Sequence, residues 1–275
     1  MSFATPDLPF ERHTLDNGLR IVLHRSAALP LVAVNLWYHV GSKNERPGRT
    51  GFAHLFEHML FQGSEHVRTH DHFRYIQQIG GVANGSTWFD RTNYYETVPA
   101  HQLDLALWLE SDRMGFFLPA LTQENLDTQR DVVTNERRQR VENQPYGLAG
   151  ERLHELLYPP GHPYHWPVIG YMEDIAAATL EDVRSFFRTY YTPNNSVLTL
   201  VGDFQPAEAL ERIAAWFGEI PAGPPVPPVS APLPPLGGER RAVLPDDVRL
   251  PRVYAGFRAP AYGERQWYAA DLLAA

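Results

Sequence analysis

The 275-residue chain contains no cysteine, which excludes disulfides and leaves any metal site to imidazole and carboxylate donors. Catalytic zinc sites are commonly built from such donors, whereas structural ones favour thiolates. There is no basic block either. The 24 Lys and Arg stand against 32 Asp and Glu, a net charge of −8, and the densest basic stretch, Arg137, Arg138 and Arg140, shares its segment with acids. No nucleic-acid partner is expected from that balance. No apolar run reaches the roughly 18 residues of a membrane span. Residues 1–18, MSFATPDLPFERHTLDNG, are polar and proline-punctuated where a signal peptide would be basic and then apolar. The chain therefore reads as soluble: cytoplasmic or, after loss of a leader, periplasmic or secreted. What is present is 44% hydrophobic residues with 12% aromatics, enough for a real core in one or two domains.

Residues 54–58 read HLFEH, an HxxEH arrangement. On an α-helix, positions i and i+4 share a face, so His54 and His58 can reach one ion while Glu57 leans over it. This order is the inverzincin signature, with the glutamate as general base. Chance supplies roughly 0.03 such matches in a chain of this composition, against the motif's known false-positive risk. The flanking residues Phe52, Leu55, Phe56, Met59, Leu60 and Phe61 make the helix apolar nearly all round, so it should be buried. Two imidazoles and a carboxylate in such a helix are costly unless a partner such as a cation compensates them.

The rest of the chain mixes strands and helices without a βαβ rhythm. Asp16-Asn17-Gly18 joins two strand-like runs into a hairpin over 10–25, and LVAVNLWYHV (31–40) reads as a buried strand. A short helix near 71–79 ends at Gly80-Gly81, ahead of strand-like VANGSTWF and TNYYETV. An amphipathic helix is expected over 101–117, with Glu110 and Asp112 as surface acids, and a longer one from Thr122. LEDVRSFFRTYY is helical up to Pro193, NSVLTLVGDF contains a strand, and PAEALERIAAWFGEI is a helix with Pro206 in its first turn. Between Glu219 and Gly238 stand 8 prolines, too dense for helix or central strand. The expected organisation is a catalytic domain over 1–220, a linker over 221–238, and the start of an incomplete second domain over 239–275.

A catalytic zinc needs a third protein ligand. In LDTQRDVVTNERRQR, Glu136 lies three and four residues after Val133 and Val132 and should share their apolar stripe while the arginines turn outward. The alternative is a surface glutamate paired with Arg140 at i+4.

The residues then point to a family. GFAHLFEHMLFQG, NGSTWFDRTNYYETVP, ESDRM, RDVVTNERRQ, HPYHWPVIG and LTLVGDF follow one another as they do in the pitrilysin-type zinc peptidases, which include insulin-degrading enzyme and mitochondrial processing peptidase. The chain resembles that family over about residues 10–220. The resemblance implies an α+β fold, a two-layer arrangement of one mixed β-sheet with helices packed over it, forming the first half of a clamshell. It implies one Zn2+ per chain held by His54, His58 and Glu136, which stands 78 residues beyond His58. It implies Glu57 as the base in peptide hydrolysis, and a peptide or unfolded polypeptide bound as an added strand along Asn84, Gly85, Ser86 and Thr87. Many members carry a supporting glutamate where this chain has Gln129. The family's second half supplies further substrate-holding residues, so a homologous half, a partner subunit or a homo-oligomer is expected as a partner. The alternative function is a non-catalytic peptide-binding or assembly subunit, against which all four motif residues count.

Other polar residues take ordinary readings. His70 and His72, around Asp71, form a polar helix start at the surface. His162 and His165 belong to a proline-broken loop outside the site. Tyr94-Tyr95 and Phe186-Phe187 serve core and strand packing.

Overall fold

The computed structural model describes residues 8–274. The hairpin forms as β1 (Glu11–Thr14) and β2 (Arg20–Arg25). Gly18 turns it with φ +88°, and a Cβ there would sit 2.8 Å from Asn194 Cβ. The next strands are β3 (Leu31–Tyr38), β4 (Val82–Thr87), β5 (Thr92–Pro99) and β6 (Ser196–Gly202). They make one sheet in the order β1-β2-β6-β3-β5-β4, parallel only between β2 and β6. Alternation along β3 buries Val32, Val34, Leu36 and Tyr38 on one face, while Trp37 exposes 41% of its surface on the other.

The helices are α1 (Phe52–Met59), α2 (Asp71–Gln78), α3 (Leu103–Phe116), α4 (Gln123–Arg137), α5 (Ala149–Leu157), α6 (Met172–Ala176), α7 (Leu180–Tyr190), α8 (Pro206–Phe217) and α9 (Arg265–Ala274). The resulting two-layer α+β architecture is the one expected. Its core gathers behind α1, where the Phe56 ring lies 5.4 Å from Phe117, 5.9 Å from Phe187 and 4.3 Å from Tyr191, centroid to centroid. The metal-type helix is thereby anchored on its apolar side. Of the two aromatic pairs, Tyr94 and Phe187 are core residues, whereas Tyr95 faces outward from β5.

Three expectations need correcting. First, α3 is not amphipathic: Glu110 is fully buried and Asp112 exposes 2%. Each acid has a partner that makes burial tolerable. Arg113 Nε donates to Glu110 Oε2 at 2.9 Å, with a second bond from its Nη2 to Oε1, and the guanidinium lies 4.0 Å over the Tyr94 ring. Asp112 accepts from Ser64 and lies 2.5 Å from His66 Nδ1. Second, His72 is no surface residue; it exposes 3% and lies 3.2 Å from buried Glu96. Only His70 stays outside, in a left-handed turn at φ 69°. Third, the buried stripe of α4 is Leu126, Gln129, Val133 and Arg137. Val132, one step further round, exposes 42%, and Arg137 turns inward to Glu151 at 2.7 Å.

Among the described residues, no helix or strand lies between Phe217 and Arg265, in keeping with the proline density. The segment nevertheless touches the folded part. Asn194 bonds to Gly223 in both directions, and Arg258 Nε donates to the Leu157 carbonyl at 2.8 Å.

Candidate metal centre

Helix α1 carries His54 and His58 one turn apart, their rings 4.8 Å apart between centroids. Its entry is built by Gly51 at φ 81° and by Glu45, whose carboxylate accepts from Gly51 N (2.9 Å) and Ala53 N (2.8 Å). Those donors are ones a helix start leaves unpaired. Glu45 carries no motif and sits six residues ahead of Gly51, so the sequence did not reveal it. Thr50 and Asp174 add a second tie, Oγ1 to Oδ2 at 2.7 Å, and Gly170 packs where a Cβ would lie 2.3 Å from Gly51 Cα.

Helix α4 brings Glu136 over the two imidazoles. Glu136 Oε2 lies 3.7 Å from His54 Nε2 and 3.3 Å from His58 Nε2. Ligands about 2.1 Å from a tetrahedral zinc stand about 3.4 Å from one another. Both His–Glu136 spacings are close to that value, and the three donor atoms all lie within 4.8 Å of one another. The other carboxylate oxygen, Oε1, pairs with Arg140 at 2.7 Å, so the surface pair forms and still leaves Oε2 facing the two imidazoles. Burial, then the neighbouring His58, lowers the His54 pKa to about 4, which keeps the ring neutral and able to ligate. Gln129 is buried on the same helix, about two turns earlier.

Glu57 points from α1 toward the sheet edge, where Thr87 Oγ1 donates to its Oε2 at 2.5 Å. Burial raises the Glu57 pKa above the ordinary carboxylate value, while the Thr87 bond opposes that rise. The edge strand is β4. Trp88 N donates to Arg91 O at 2.8 Å, so Trp88 and Arg91 are a hydrogen-bonded pair. Alternation then turns the backbone groups of Ser86, Asn84 and Val82 toward β5 and those of Thr87, Gly85 and Ala83 toward the open edge. The four residues Asn84 to Thr87 therefore do not act alike. Asn84 is a strand residue, and its Oδ1 occupies the Gly85 N–H at 2.9 Å; Ser86 Oγ donates to Asn93 Oδ1 at 2.6 Å.

A second group, His72, Glu96 and Glu110, also brings three donor atoms together. It already holds a cation. Arg113 bonds to Glu110 and lies 3.6 Å from Glu96, so a divalent ion there would meet a buried guanidinium. His162 and His165 stay in their loop, with His165 Nδ1 2.8 Å from the Tyr158 carbonyl.

The profile described as Insulinase (Peptidase family M16) matches residues 20–162, more than half of the chain. The chain belongs to peptidase family M16. A second profile of the family, Peptidase M16 inactive domain, matches residues 177–275. The chain is 34% identical over 274 residues to the zinc protease PqqE of Helicobacter pylori, covering 96% of this chain and 60% of that protein. It is 26% identical over 211 residues to the probable mitochondrial-processing peptidase subunit beta of Arabidopsis thaliana, covering 77% of this chain and 39% of that one. A crystal structure of a Helicobacter pylori protease superposes with a TM-score of 0.79 at 32% identity, covering 82% of this chain and 55% of the other. This M16 chain thus spans about three-fifths of the PqqE relative's length. No helix of the described residues is long and apolar enough to cross a membrane.

Proposed function

We propose that this M16 chain is the metal-bearing half of a zinc-dependent endopeptidase acting on peptides or unfolded polypeptides. One observation carries the reading: two helices far apart in sequence bring His54, His58 and Glu136 to within ligand distance of a common point beside Glu57. One zinc per chain fits that donor set, and relatives named zinc proteases support the choice of metal. Bound zinc supplies the positive charge that acidifies water and polarises a carbonyl.

The chain's own residues supply the rest. Glu57 removes a proton from the attacking water and returns it to the departing amine, base and then acid in one cycle. Its raised pKa suits both halves of that task. The backbone groups of Ala83, Gly85 and Thr87 offer the open edge on which a substrate strand can pair, and Asn84 Oδ1 has to leave the Gly85 N–H for that pairing. Residues 1–220 form the catalytic unit in this reading, 221–238 link it onward, and 239–275 begin a second homologous unit that completes the cleft, in the same chain or a partner.

Zinc per chain and cleavage of an unfolded polypeptide, measured on wild type, Glu57→Gln and Glu136→Gln, test the reading. Wild type and Glu57→Gln should each hold about one zinc, while cleavage falls by about 10²-fold or more in Glu57→Gln. Glu136→Gln should lose most of both. Full zinc in Glu136→Gln, or most of the activity in Glu57→Gln, would sink it.

A further inference from the structure

Two residues of β4 shape the space that Glu57 enters. At Gly85 an added Cβ would lie 3.1 Å from both Glu57 Cγ and Glu57 Oε1, and 3.2 Å from the Phe61 ring. The strand therefore leaves room for the carboxyl and holds it closely on that side. At Thr87 the strand supplies a hydrogen-bond donor, Oγ1, 2.5 Å from Oε2. A threonine hydroxyl has one proton to give, and a β-branched side chain in a strand has few rotamers, so this donor is both committed and stiff. The Arg91 guanidinium is engaged elsewhere: its Nη1 donates to the Ser86 carbonyl at 2.9 Å and to Asn93 Oδ1 at 2.8 Å.

We propose that Thr87 is a positioning residue for the base: it fixes the Glu57 carboxylate by holding Oε2, and leaves Oε1 as the oxygen that moves the proton. The proposal rests on the reading of Glu57 as the base. It also gives Thr87 two connected tasks. Its backbone faces the open edge, so a substrate strand that pairs there grips the same residue whose hydroxyl orients the carboxylate. Edge occupancy and base orientation meet at one Cα. Thr87 thereby acts through Glu57 as well as along the substrate edge.

The test uses the zinc-loaded chain with Thr87→Val, which keeps the shape and removes the donor, and Thr87→Ser, which keeps the donor and removes the methyl. Thr87→Val should lower kcat about 10- to 100-fold, in the range of a misoriented catalytic group, with KM within about twofold and about one zinc per chain. Thr87→Ser should recover kcat to within about threefold of wild type. On a Glu57→Gln background, Thr87→Val should have no further effect on kcat. Crystal structures of the zinc-loaded proteins supply a readout that needs no turnover: the Glu57 carboxylate should keep its place in Thr87→Ser and turn away in Thr87→Val. An unmoved carboxylate in Thr87→Val overturns the proposal, as does a loss that arises through KM or through zinc, or that serine fails to rescue. If wild type cleaves nothing, alone or supplied with the second unit that completes the cleft, the peptidase reading fails, and the position of the carboxylate still decides whether Thr87 sets it.

Discussion

Glu45 shows how much a single residue outside the motif contributes to the metal helix. Its buried carboxyl accepts from two N–H groups at the start of α1, and burial pushes its pKa up while those two bonds pull it down. Removing the acceptor leaves both donors inside the protein without a partner. Glu45→Ala should therefore destabilise the metal-free protein by about 1–2 kcal/mol, the scale of a lost helix cap. Thermal unfolding against wild type checks this, and an unchanged melting temperature would show that α1 starts without the cap. Glu45 could not be found by pattern, because capping residues are sought immediately before the helix and this one arrives from a preceding turn. Glu136 was more legible. Its spacing on α4 placed it beside Val133, although only the structure shows that its two oxygens divide between the imidazoles and Arg140.

At the scale of elements, α2, β5 and α3 meet in a buried charge network that gives the fold a pH signature. Burial, followed by the nearby Arg113 charge, lowers the His72 pKa to about 3, against 6.5 for a free imidazole. The unfolded chain then binds more protons than the folded one between those values, so this histidine's contribution to stability is complete above 6.5 and declines as pH falls toward 3. Glu96 and Glu110 act in the opposite sense. Burial raises both, so their contribution is full below the ordinary carboxylate pKa and is lost as pH rises through their folded values. Below about pH 4.5 the glutamate effect fades as both carboxyls become protonated in the unfolded chain too, and comparison with a variant that lacks only the histidine isolates its effect. Denaturant unfolding at pH 3.5 and 4.5, values taken as roughly spanning that window, should show wild-type stability rising more steeply than that of His72→Gln. The expected difference in slope is about 1.4 kcal/mol per pH unit. Equal slopes would mean that His72 is protonated in the fold. None of this network was legible in the sequence. Its members lie on three elements, and a lone Glu on a helix reads as a surface acid until its partner is seen.

For the whole molecule, the proposed metal centre would be a long-range tie. His58 and Glu136 are separated by 78 residues, and an ion bound there would join α1 to α4 across that loop. A ligand that binds only the folded state stabilises it by mass action. Chelation with EDTA should lower the melting temperature of the wild type by several degrees, zinc should restore it, and Glu136→Gln should respond far less. Superimposable wild-type melts with and without chelator would count against a formed site. Beyond the proline-rich segment, Val243, Val253, Phe257 and Leu273 are exposed, in contrast with the closed core of the first 220 residues.

Local patterns in the sequence determined the hairpin at Asn17-Gly18, the metal-type helix with its His54, Glu57 and His58, the absence of helix and strand from the proline-rich segment among the described residues, and the helix opened by Pro206. These features depend on turn chemistry and short-range periodicity, which a chain carries wherever it folds. Only the tertiary structure decided that Glu110, Asp112 and His72 are buried, that Glu45 caps α1, and that Thr87 turns its hydroxyl to Glu57. The alternation of β4 separates its two faces but does not say which one meets the helix. Whether a charge can be buried depends on the partner that packing places beside it, and that partner comes from another part of the chain.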